Sequence, residues 1–276
     1  MLSPIHRSGL LGKLSKSALP VLSSSINALR LQGLVRGLET GTAMLQGKGA
    51  GSGWDLGAEI RAAAKCIRRS DPVLMDVGAN RGEWSSGMVA AFPKTRRVIM
   101  FEPQDDCVAL LETLKLPGRT ILHGGVGDEN GTREFFVGAP GWAAASFFRR
   151  DETFFSDVEQ RKITVPVFTI DDVMERERVE FADFVKFDIE GAELMALKGA
   201  SKALAAGKIG AMSLEFGSGN INSRTFFRDF WDLLTGYGFE IYRVLPSGRT
   251  MRIAEYYEDL EYFRGVSNYV ARLVRQ

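Results

Sequence analysis

Short apolar runs alternate with amphipathic stretches along the chain from residue 73 onwards. Five of these runs have the length and apolar content of strands that are covered on both faces: residues 73–77, 97–101, 120–123, 184–187 and 209–214. The stretches between them repeat apolar residues at helical spacing, as Trp84, Met88 and Phe92 do. This alternation predicts an α/β fold with a mostly parallel central sheet flanked by helices.

Two further pairs of segments predict strands outside this alternation. Residues 240–244 and 269–274 are expected to close the sheet as an antiparallel hairpin. Residues 133–137 and 164–168 predict an added hairpin or edge pair. The sheet should therefore be parallel in its centre and antiparallel at one side.

The stretch from Val73 to Trp84 predicts a buried strand, a tight glycine turn and the start of a helix. Gly78 and Gly82 relieve the steric limits where the chain reverses, so that a ligand can approach backbone N–H groups at the helix N-terminus. Glu102 ends the next strand about twenty residues later, where dinucleotide-binding folds place a carboxylate against a ribose diol. The pattern predicts a nucleoside-containing cofactor held at both ends of one βαβ unit.

The turn also indicates which cofactor this is. Asn80 stands where dinucleotide-binding turns carry the second glycine, the residue that lets a pyrophosphate approach the backbone. Asp76 precedes the turn, and its carboxylate would repel a phosphate and attract a cation. S-adenosyl-L-methionine (SAM) carries an ammonium and a sulfonium and no phosphate. The turn therefore favours SAM over NAD or FAD.

Four motifs in order resemble the FkbM family of SAM-dependent methyltransferases. They are D-V-G-A-N at 76–80, F-E-P at 101–103, T-I-D-D at 169–172 and K-F-D-I-E-G-A-E at 186–193. The resemblance runs from about residue 72 to the C-terminus and implies a Rossmann-like class I methyltransferase fold. It also implies that Asp76, Gly78, Asn80 and Glu102 bind the cofactor.

Acidic residues end several of the predicted strands. Because the carboxyl ends of parallel strands meet at one edge of the sheet, these acids should gather around one crevice: Asp76, Glu102, Asp128, Asp188 and Glu215. Glu102 is best assigned to the ribose of the cofactor. Gly127 and Asp128 follow the third strand and are candidates for contact with the adenine amino group.

Proton removal from the methyl acceptor requires a base or a metal, because a hydroxyl is a poor nucleophile at neutral pH. Asp188 and Glu190 are the candidate bases, and His123 is an alternative. Asp188 and Glu215, with Glu190, also have the hard oxygen ligands that Mg²⁺ prefers, so a metal that lowers the pKa of the acceptor is a second possibility.

The expected reaction is O-methylation of a hydroxyl on a sugar, a glycan or a related natural product, so the partner is a small-molecule or glycan acceptor. The glycine-rich aromatic segment 138–148 and the polar segment 217–223 are expected to shape the acceptor site. Three alternatives remain open: an N-methyltransferase acting on protein or RNA, a non-catalytic SAM-fold binding module, and a dehydrogenase. Asn80 argues against the last.

Composition narrows the class of protein. The 276 residues are 45% hydrophobic, which suffices for one catalytic domain with a large core. The net charge of +1 gives no general attraction to nucleic acid, and no nucleic-acid partner is expected. Cys66 and Cys107 predict isolated reduced thiols. No apolar run reaches the roughly 18 residues of a membrane span, so a cytoplasmic protein is expected, either monomeric or a homo-oligomer.

The N-terminal segment differs from the rest of the chain. We expect residues 1–53 to form a basic helical segment with a flexible glycine-rich linker at 47–53, and residues 54–276 to form the catalytic domain, starting with a helix at 54–69. No acidic residue occurs before Glu39, and Pro20 should interrupt a single long helix. The pattern predicts two short helices that pack on the catalytic domain. One alternative is that the segment contacts a membrane surface or a partner, and another is that it is a cleaved targeting peptide.

Overall fold

A computed structural model describes residues 10–49, 51 and 56–274, with side chains in the first helix described from Ala18 onwards. The helices are α1 Leu10–Ala28, α2 Gln32–Leu45, α3 Leu56–Ala64, α4 Glu83–Ala91, α5 Asp105–Leu111, α6 Ile170–Arg176, α7 Glu193–Lys198, α8 Ser201–Ala205, α9 Gly219–Ser223 and α10 Phe227–Gly236. The strands are β1 Val73–Val77, β2 Arg97–Glu102, β3 Thr120–His123, β4 Gly125–Val126, β5 Gly131–Val137, β6 Arg161–Phe168, β7 Phe184–Phe187, β8 Ala211–Gly217, β9 Phe239–Val244, β10 Thr250–Ile253 and β11 Val266–Leu273.

Eight of these strands form the central sheet in the order β10-β9-β11-β8-β7-β1-β2-β3. Strands β3, β2, β1, β7 and β8 run parallel to one another, and β11 runs antiparallel to both β8 and β9. The predicted mixed sheet is confirmed. Its strand order reverses between β1 and β7, and ligands of open α/β sheets bind in the crevice at such a reversal.

The strands differ from the prediction in two places. The pair predicted at 133–137 and 164–168 exists as antiparallel β5 and β6, but it forms a separate three-stranded sheet with β4. Strand β10, which pairs with β9 at the outer edge of the central sheet, was not predicted from the sequence. Its four residues, Thr-Met-Arg-Ile, are too few and too polar to stand out as an apolar run.

Alternate residues of β1 point to opposite faces of the sheet. Met75 and Val77 belong to a core beneath helices that include α7 and α10, whereas Leu74 packs with Trp84 of α4 on the other face. Because side chains of a strand alternate with a period of two, Asp76 falls on the same face as Leu74. This register places the Asp76 carboxylate under α4 and away from the end of the strand.

The N-terminal helices differ from the prediction in two ways. Helix α1 continues through Pro20, and the chain breaks instead at Arg30, whose φ of 54° no helix accommodates. The expected packing on the catalytic domain is also absent over much of the segment, because no described side chain from Ala18 to Thr42 is buried. In the part of the chain that the structure describes, no helix is long and apolar enough to cross a membrane.

The described part of the glycine-rich stretch is not a flexible linker. Gly49 N–H donates to the Ser267 hydroxyl at 3.2 Å, and Gly51 N–H donates to the Val266 carbonyl at 2.8 Å. Lys48 Nζ donates to the Asp259 carbonyl at 2.9 Å. These long-range bonds fix the stretch beside β11; Ala50, Ser52 and Gly53 lie outside the described residues, as do Trp54 and Asp55 of the helix predicted at 54–69.

Candidate active site

A cavity of about 570 Å³ lies at the carboxyl ends of β1, β2, β7 and β8, where the strand order reverses. Its walls include the turn after β1, the end of β2, the loop after β7 and the end of β8. Of the residues predicted from the sequence, Gly78, Asn80, Glu102, Asp188, Glu190 and Glu215 line this cavity. The topology therefore brings together residues that are far apart in sequence.

The glycine turn is shaped by contact with β7. Gly78 has a φ of 83°, and a Cβ at this position would lie 1.9 Å from the Asp188 carbonyl oxygen. Gly78 and Ala79 both donate their N–H groups to the Phe101 carbonyl, at 3.1 and 3.0 Å. Glycine was predicted here to admit a ligand, but the structure shows that the neighbouring backbone already requires it.

Glu102 is fixed in place by the backbone of its own βαβ unit. Its two carboxylate oxygens accept N–H groups from Asn80 at 2.8 Å and from Gln104 at 2.9 Å. The residue is 2% exposed, and burial raises the pKa of its carboxyl although these bonds oppose the shift. Oε1 also accepts the Gln104 side-chain amide at 3.4 Å, whereas Oε2 keeps a further lone pair that can accept a ribose hydroxyl.

Asp76 lies below the turn and does not line the cavity. Its Oδ2 accepts the Ser85 hydroxyl at 2.6 Å, and its Oδ1 lies 3.8 Å from Lys186 Nζ without a hydrogen bond. Burial raises the pKa of this carboxyl. The cofactor contact of Asp76 stays a prediction, but the geometry favours an indirect role through Lys186.

Three carboxylates meet on one side of the cavity. Single oxygens of Asp188, Glu190 and Glu215 all lie within 4.8 Å of one another. Lys186 Nζ donates to Asp188 at 2.7 Å, and Arg150 Nη1 donates to Glu190 at 2.5 Å. Glu215 has no hydrogen-bond partner within the described part of the chain. It is thus the one member of this acidic cluster (Asp188, Glu190 and Glu215) that keeps its full capacity to accept a proton.

The acidic cluster has unusual electrostatics because its three carboxylates are half-buried and close together. Burial raises the pKa of Glu215 well above its ordinary value, and the charges of Asp188 and Glu190 raise it further. Burial also raises the pKa of Glu190, although Arg150 opposes the shift. Burial alone would lower the pKa of Lys186, but Asp188 and Asp76 outweigh it and raise the pKa. Like charges this close cannot all ionise freely, so the cluster holds a proton more readily than isolated carboxyls do.

The loop that carries Glu190 is stabilised by backbone hydrogen bonds to the Glu193 carboxylate. The Glu193 carboxylate accepts the N–H groups of Ile189 and Gly191, each at 3.0 Å. Glu190 itself has a φ of 54°, a left-handed conformation that costs energy in a residue other than glycine. Glu193 therefore has a structural role that supports the site.

Thr169 and Asp171 of the T-I-D-D motif have a capping role. The Asp171 carboxylate accepts the N–H groups of Lys202 and Ala203 at the start of α8, at 2.9 and 2.8 Å. The Thr169 hydroxyl accepts the N–H of Asp172 at 3.2 Å and caps α6. The T-I-D-D motif thus orders helices beside the sheet and supplies no group to the cavity.

Glu59 lines the cavity although no motif or spacing in the sequence indicated it. It reaches the site from α3, and its Oε1 accepts the Asn268 amide at 2.6 Å. Burial raises the pKa of Glu59 to about 7. A single acid in an alanine-rich helix before the first strand is usually solvated, so only the packing of α3 against the sheet reveals its position.

We expect the Glu59→Gln variant to lose part of the pH dependence of stability. In the unfolded chain this carboxyl ionises near its ordinary value of 4.5, whereas in the folded protein it stays protonated up to about 7. The folded state therefore binds the extra proton, and the free energy of unfolding falls as the pH rises through this range, by at most about 3 kcal/mol. Urea denaturation of parent and variant at the two ends of the range measures this difference.

The comparison of variant with parent isolates Glu59, because Glu193, whose pKa burial also raises to about 7, is present in both. The free energy of unfolding of the variant, relative to that of the parent, should rise as the pH goes from about 4.5 to about 7. An equal loss of stability in both proteins would contradict the shifted pKa of Glu59.

Besides Asp76, three residues predicted for the site lie outside the cavity lining. His123 Nε2 lies 3.0 Å from an Asp105 oxygen, and its side chain is 48% exposed. The Asp128 carboxylate lies 3.6 Å from Arg133, and the Gly127 carbonyl lies against Gly199, where a Cβ would be 2.0 Å away. The end of the third strand contributes Gly124, Gly125 and Val126 to the cavity instead. The roles predicted for His123, Gly127 and Asp128 are not supported by this geometry.

Aromatic rings form a part of the cavity wall that lies beside the acidic cluster. Trp142, Phe147 and Phe155 line the cavity, and the rings of Trp142 and Phe155 meet edge to face with centroids 5.4 Å apart. Arg150 lies over the Phe155 ring at 4.9 Å while it holds Glu190. The segment 138–148 thus lines the cavity, and its role in acceptor binding stays a prediction. Arg150 joins the Phe155 ring to the acidic cluster.

The fold and this site define a class. The parallel part of the sheet reverses its strand order between β1 and β7, the cavity lies at this reversal, and the antiparallel strand β11 follows on one side. This is the architecture of class I methyltransferases. The sequence model of the methyltransferase FkbM domain matches residues 76–241. The chain therefore belongs to the FkbM methyltransferase family, whose cofactor is SAM, as the sequence motifs predicted. No curated protein sequence matches the chain.

Three of the solved structures that match the chain are of methyltransferases. A methyltransferase FkbM from Methylobacillus flagellatus KT is 19% identical with a TM-score of 0.46; the match covers 74% of this chain and 44% of that one. This chain thus spans less than half the length of that protein. A precorrin-6y C5,15-methyltransferase from Geobacter metallireducens GS-15 is 12% identical over 78% and 88% of the chains, with a TM-score of 0.40. The plantazolicin methyltransferase BpumL, in complex with SAH, is 7% identical over 79% and 83%, with a TM-score of 0.40.

Proposed function

We propose that this protein transfers the methyl group of SAM to a hydroxyl of a sugar, a glycan or a related natural product. The observation that carries the proposal is the cavity at the β1–β7 reversal, with Glu102 at one side and the acidic cluster at another. The first feature suits a ribose, and the second suits an acceptor hydroxyl that must lose a proton.

The charge of the cavity supports SAM as the cofactor. Six acids line it: Glu59, Glu83, Glu102, Asp188, Glu190 and Glu215. Among the described residues only two basic ones do, Arg81 and Lys186, and Lys186 is already engaged with Asp188. A cationic sulfonium and ammonium are attracted to such a site, and a pyrophosphate is repelled. In this proposal Gly78, Asn80 and Glu102 form the cofactor end of the cavity.

We expect Glu102→Ala to weaken SAM binding. The change removes the acceptor proposed for the ribose hydroxyls and leaves the Asn80 and Gln104 N–H groups without their partner. A buried unsatisfied group typically costs about 1–3 kcal/mol, so the Kd for SAM should rise about 5- to 150-fold. Isothermal titration with SAM measures the change.

The control is Glu134→Ala, which removes an acid paired with Lys162 on the exposed face of β5. This variant should bind SAM like the parent. Titration of the parent with NAD should show no binding. Unchanged SAM affinity in Glu102→Ala, or NAD binding comparable to that of SAM, would sink the cofactor assignment.

The acceptor end of the cavity supports a polyhydroxylated ring as substrate. Trp142, Phe147 and Phe155 offer aromatic faces, and the acidic cluster offers acceptors for several hydroxyls. Aromatic faces combined with carboxylates suit a sugar, which has apolar ring faces and polar edges. The Asn220 and Asn222 side-chain amides already donate hydrogen bonds to Thr225 and Glu152. The segment 217–223 therefore supports the wall of the site and does not bind the acceptor's hydroxyls through these amides.

Once bound, SAM supplies an activated methyl group, so the protein's residues act by positioning and by proton transfer. Glu215 accepts the acceptor's hydroxyl proton, because its carboxylate has no competing partner among the described residues and its pKa is raised. Lys186 fixes Asp188, and Arg150 fixes Glu190, so both carboxylates can orient the acceptor by accepting its other hydroxyls.

Magnesium fits this cluster poorly. The three carboxylates have suitable oxygens, but an ammonium and a guanidinium already neutralise two of them. A divalent ion that uses all three carboxylates would have to displace both cations from their hydrogen bonds. We therefore expect methyl transfer to persist in EDTA and to gain nothing from added Mg²⁺. Loss of turnover in EDTA with recovery on Mg²⁺ addition would instead assign the cluster to metal binding.

A further inference from the structure

The first two helices expose apolar side chains to solvent. Ten of the sixteen large apolar side chains that are exposed in the described chain lie between Leu19 and Leu45. Leu34, Leu38 and Leu45 are 62%, 63% and 81% exposed. Isolated helices of this length are marginal in water, because most helical stability comes from packing an apolar face. These helices, α1 and α2, therefore require a surface that covers them.

The charge of this segment indicates what that surface is. Residues 1–38 contain five basic residues and no acidic one, so the remaining residues carry a net charge of −4. Arg30 and Arg36 lie within the exposed part of the segment. An anionic surface attracts this end of the molecule and repels the other, whereas a second copy of the same segment would meet like charges.

The segment is also firmly attached to the catalytic domain at its C-terminal end. Ala43 and Lys48 are buried, and the Arg243 guanidinium donates to the Gln46 carbonyl at 3.3 Å. Gly51, which follows, and Val266, its hydrogen-bond partner, both line the active-site cavity. A surface that covers α1 and α2 would therefore also lie near one wall of the cavity.

We propose that α1 and α2 dock on the surface of an anionic lipid bilayer. The leucine side chains insert at the boundary between headgroups and acyl chains, and the basic residues bind the anionic headgroups. No described helix spans the bilayer, so the attachment is peripheral and reversible. This places the catalytic domain beside the membrane whatever the identity of its acceptor.

The test is co-sedimentation of the full chain with vesicles of phosphatidylcholine alone and with phosphatidylglycerol added. The parent should sediment with the anionic vesicles, and salt should release it because surface charges are screened. Leu34→Gln with Leu38→Gln should weaken partitioning at least about tenfold for each leucine. Arg30→Gln with Arg36→Gln should weaken it about fivefold for each arginine, on anionic vesicles only.

The matched control is Leu110→Gln with Arg249→Gln, which removes an exposed leucine and an exposed arginine elsewhere on the surface. It should bind vesicles like the parent. Equal loss of binding in the control, or no preference for anionic vesicles, would overturn the proposal. Light scattering without lipid gives a further check on the oligomeric state. A parent dimer that becomes a monomer on the Leu34 and Leu38 changes would show that the helices bind a second copy of the chain, and this result would also overturn the proposal.

Discussion

Replacing Glu215 with Gln should lower kcat by about 10²- to 10⁴-fold while the affinity for SAM stays nearly unchanged. The amide keeps the shape of the side chain and removes its capacity to accept a proton. Glu215 is the expected base because Asp188 and Glu190 are engaged by Lys186 and Arg150. Methyl transfer from labelled SAM to a panel of glycosides measures kcat, and isothermal titration measures SAM binding.

The pH profile adds a second readout. Because burial and the neighbouring carboxylates raise the pKa of Glu215, activity of the parent should rise with pH through a range above that of an ordinary glutamate. The Glu215→Gln variant should lack this rise. Asp188→Asn and Glu190→Gln provide the comparison, since each also removes one carboxylate from the same cluster.

Three outcomes of this experiment are distinguishable. Loss confined to Glu215→Gln supports the assignment. Near-normal turnover in that variant, with a large loss in Asp188→Asn or Glu190→Gln, would transfer the proton-accepting role to one of the residues predicted from the sequence. A fall in SAM affinity without a fall in kcat would assign Glu215 to the cofactor.

Gly78→Ala should destabilise the protein severely. The left-handed backbone at a φ of 83° costs a non-glycine residue about 1–2 kcal/mol, and forcing a methyl into a packed site costs about 1–3 kcal/mol more. The added Cβ would lie 1.9 Å from the Asp188 carbonyl oxygen, so β1 and β7 must separate at the point where the site is built. Chemical denaturation measures the loss, and SAM titration should show weaker binding in the molecules that remain folded.

The control is Gly236→Ala near the end of α10. A Cβ there meets nothing within 4 Å, and alanine is the better helix former. This variant should be as stable as the parent or slightly more stable. A Gly78→Ala protein as stable as the control would contradict the close approach of the two strand ends.

Some roles were recoverable from the sequence because they depend on local pattern. Gly78 stands at a strand-to-helix turn, and Glu102 ends the next strand, so their proximity follows from one βαβ unit. Asp188 and Glu215 end two further buried runs, and parallel strands bring such ends to one edge. His123 and Asp128 follow the same rule and yet lie outside the cavity lining, because the rule gives the edge of the sheet and not the direction of the side chain.

The sequence by itself determined the class of fold, the family and the turn at which the cofactor is expected, because apolar periodicity and short motifs encode strands, helices and strand-end residues locally. Only the tertiary structure decided that Asp76 lies beneath α4, that Glu59 enters the cavity and that Arg150 holds Glu190. These contacts join segments whose separation in sequence carries no periodic signal. They depend on side-chain direction and on which helix covers which strand, and both are fixed when the core packs.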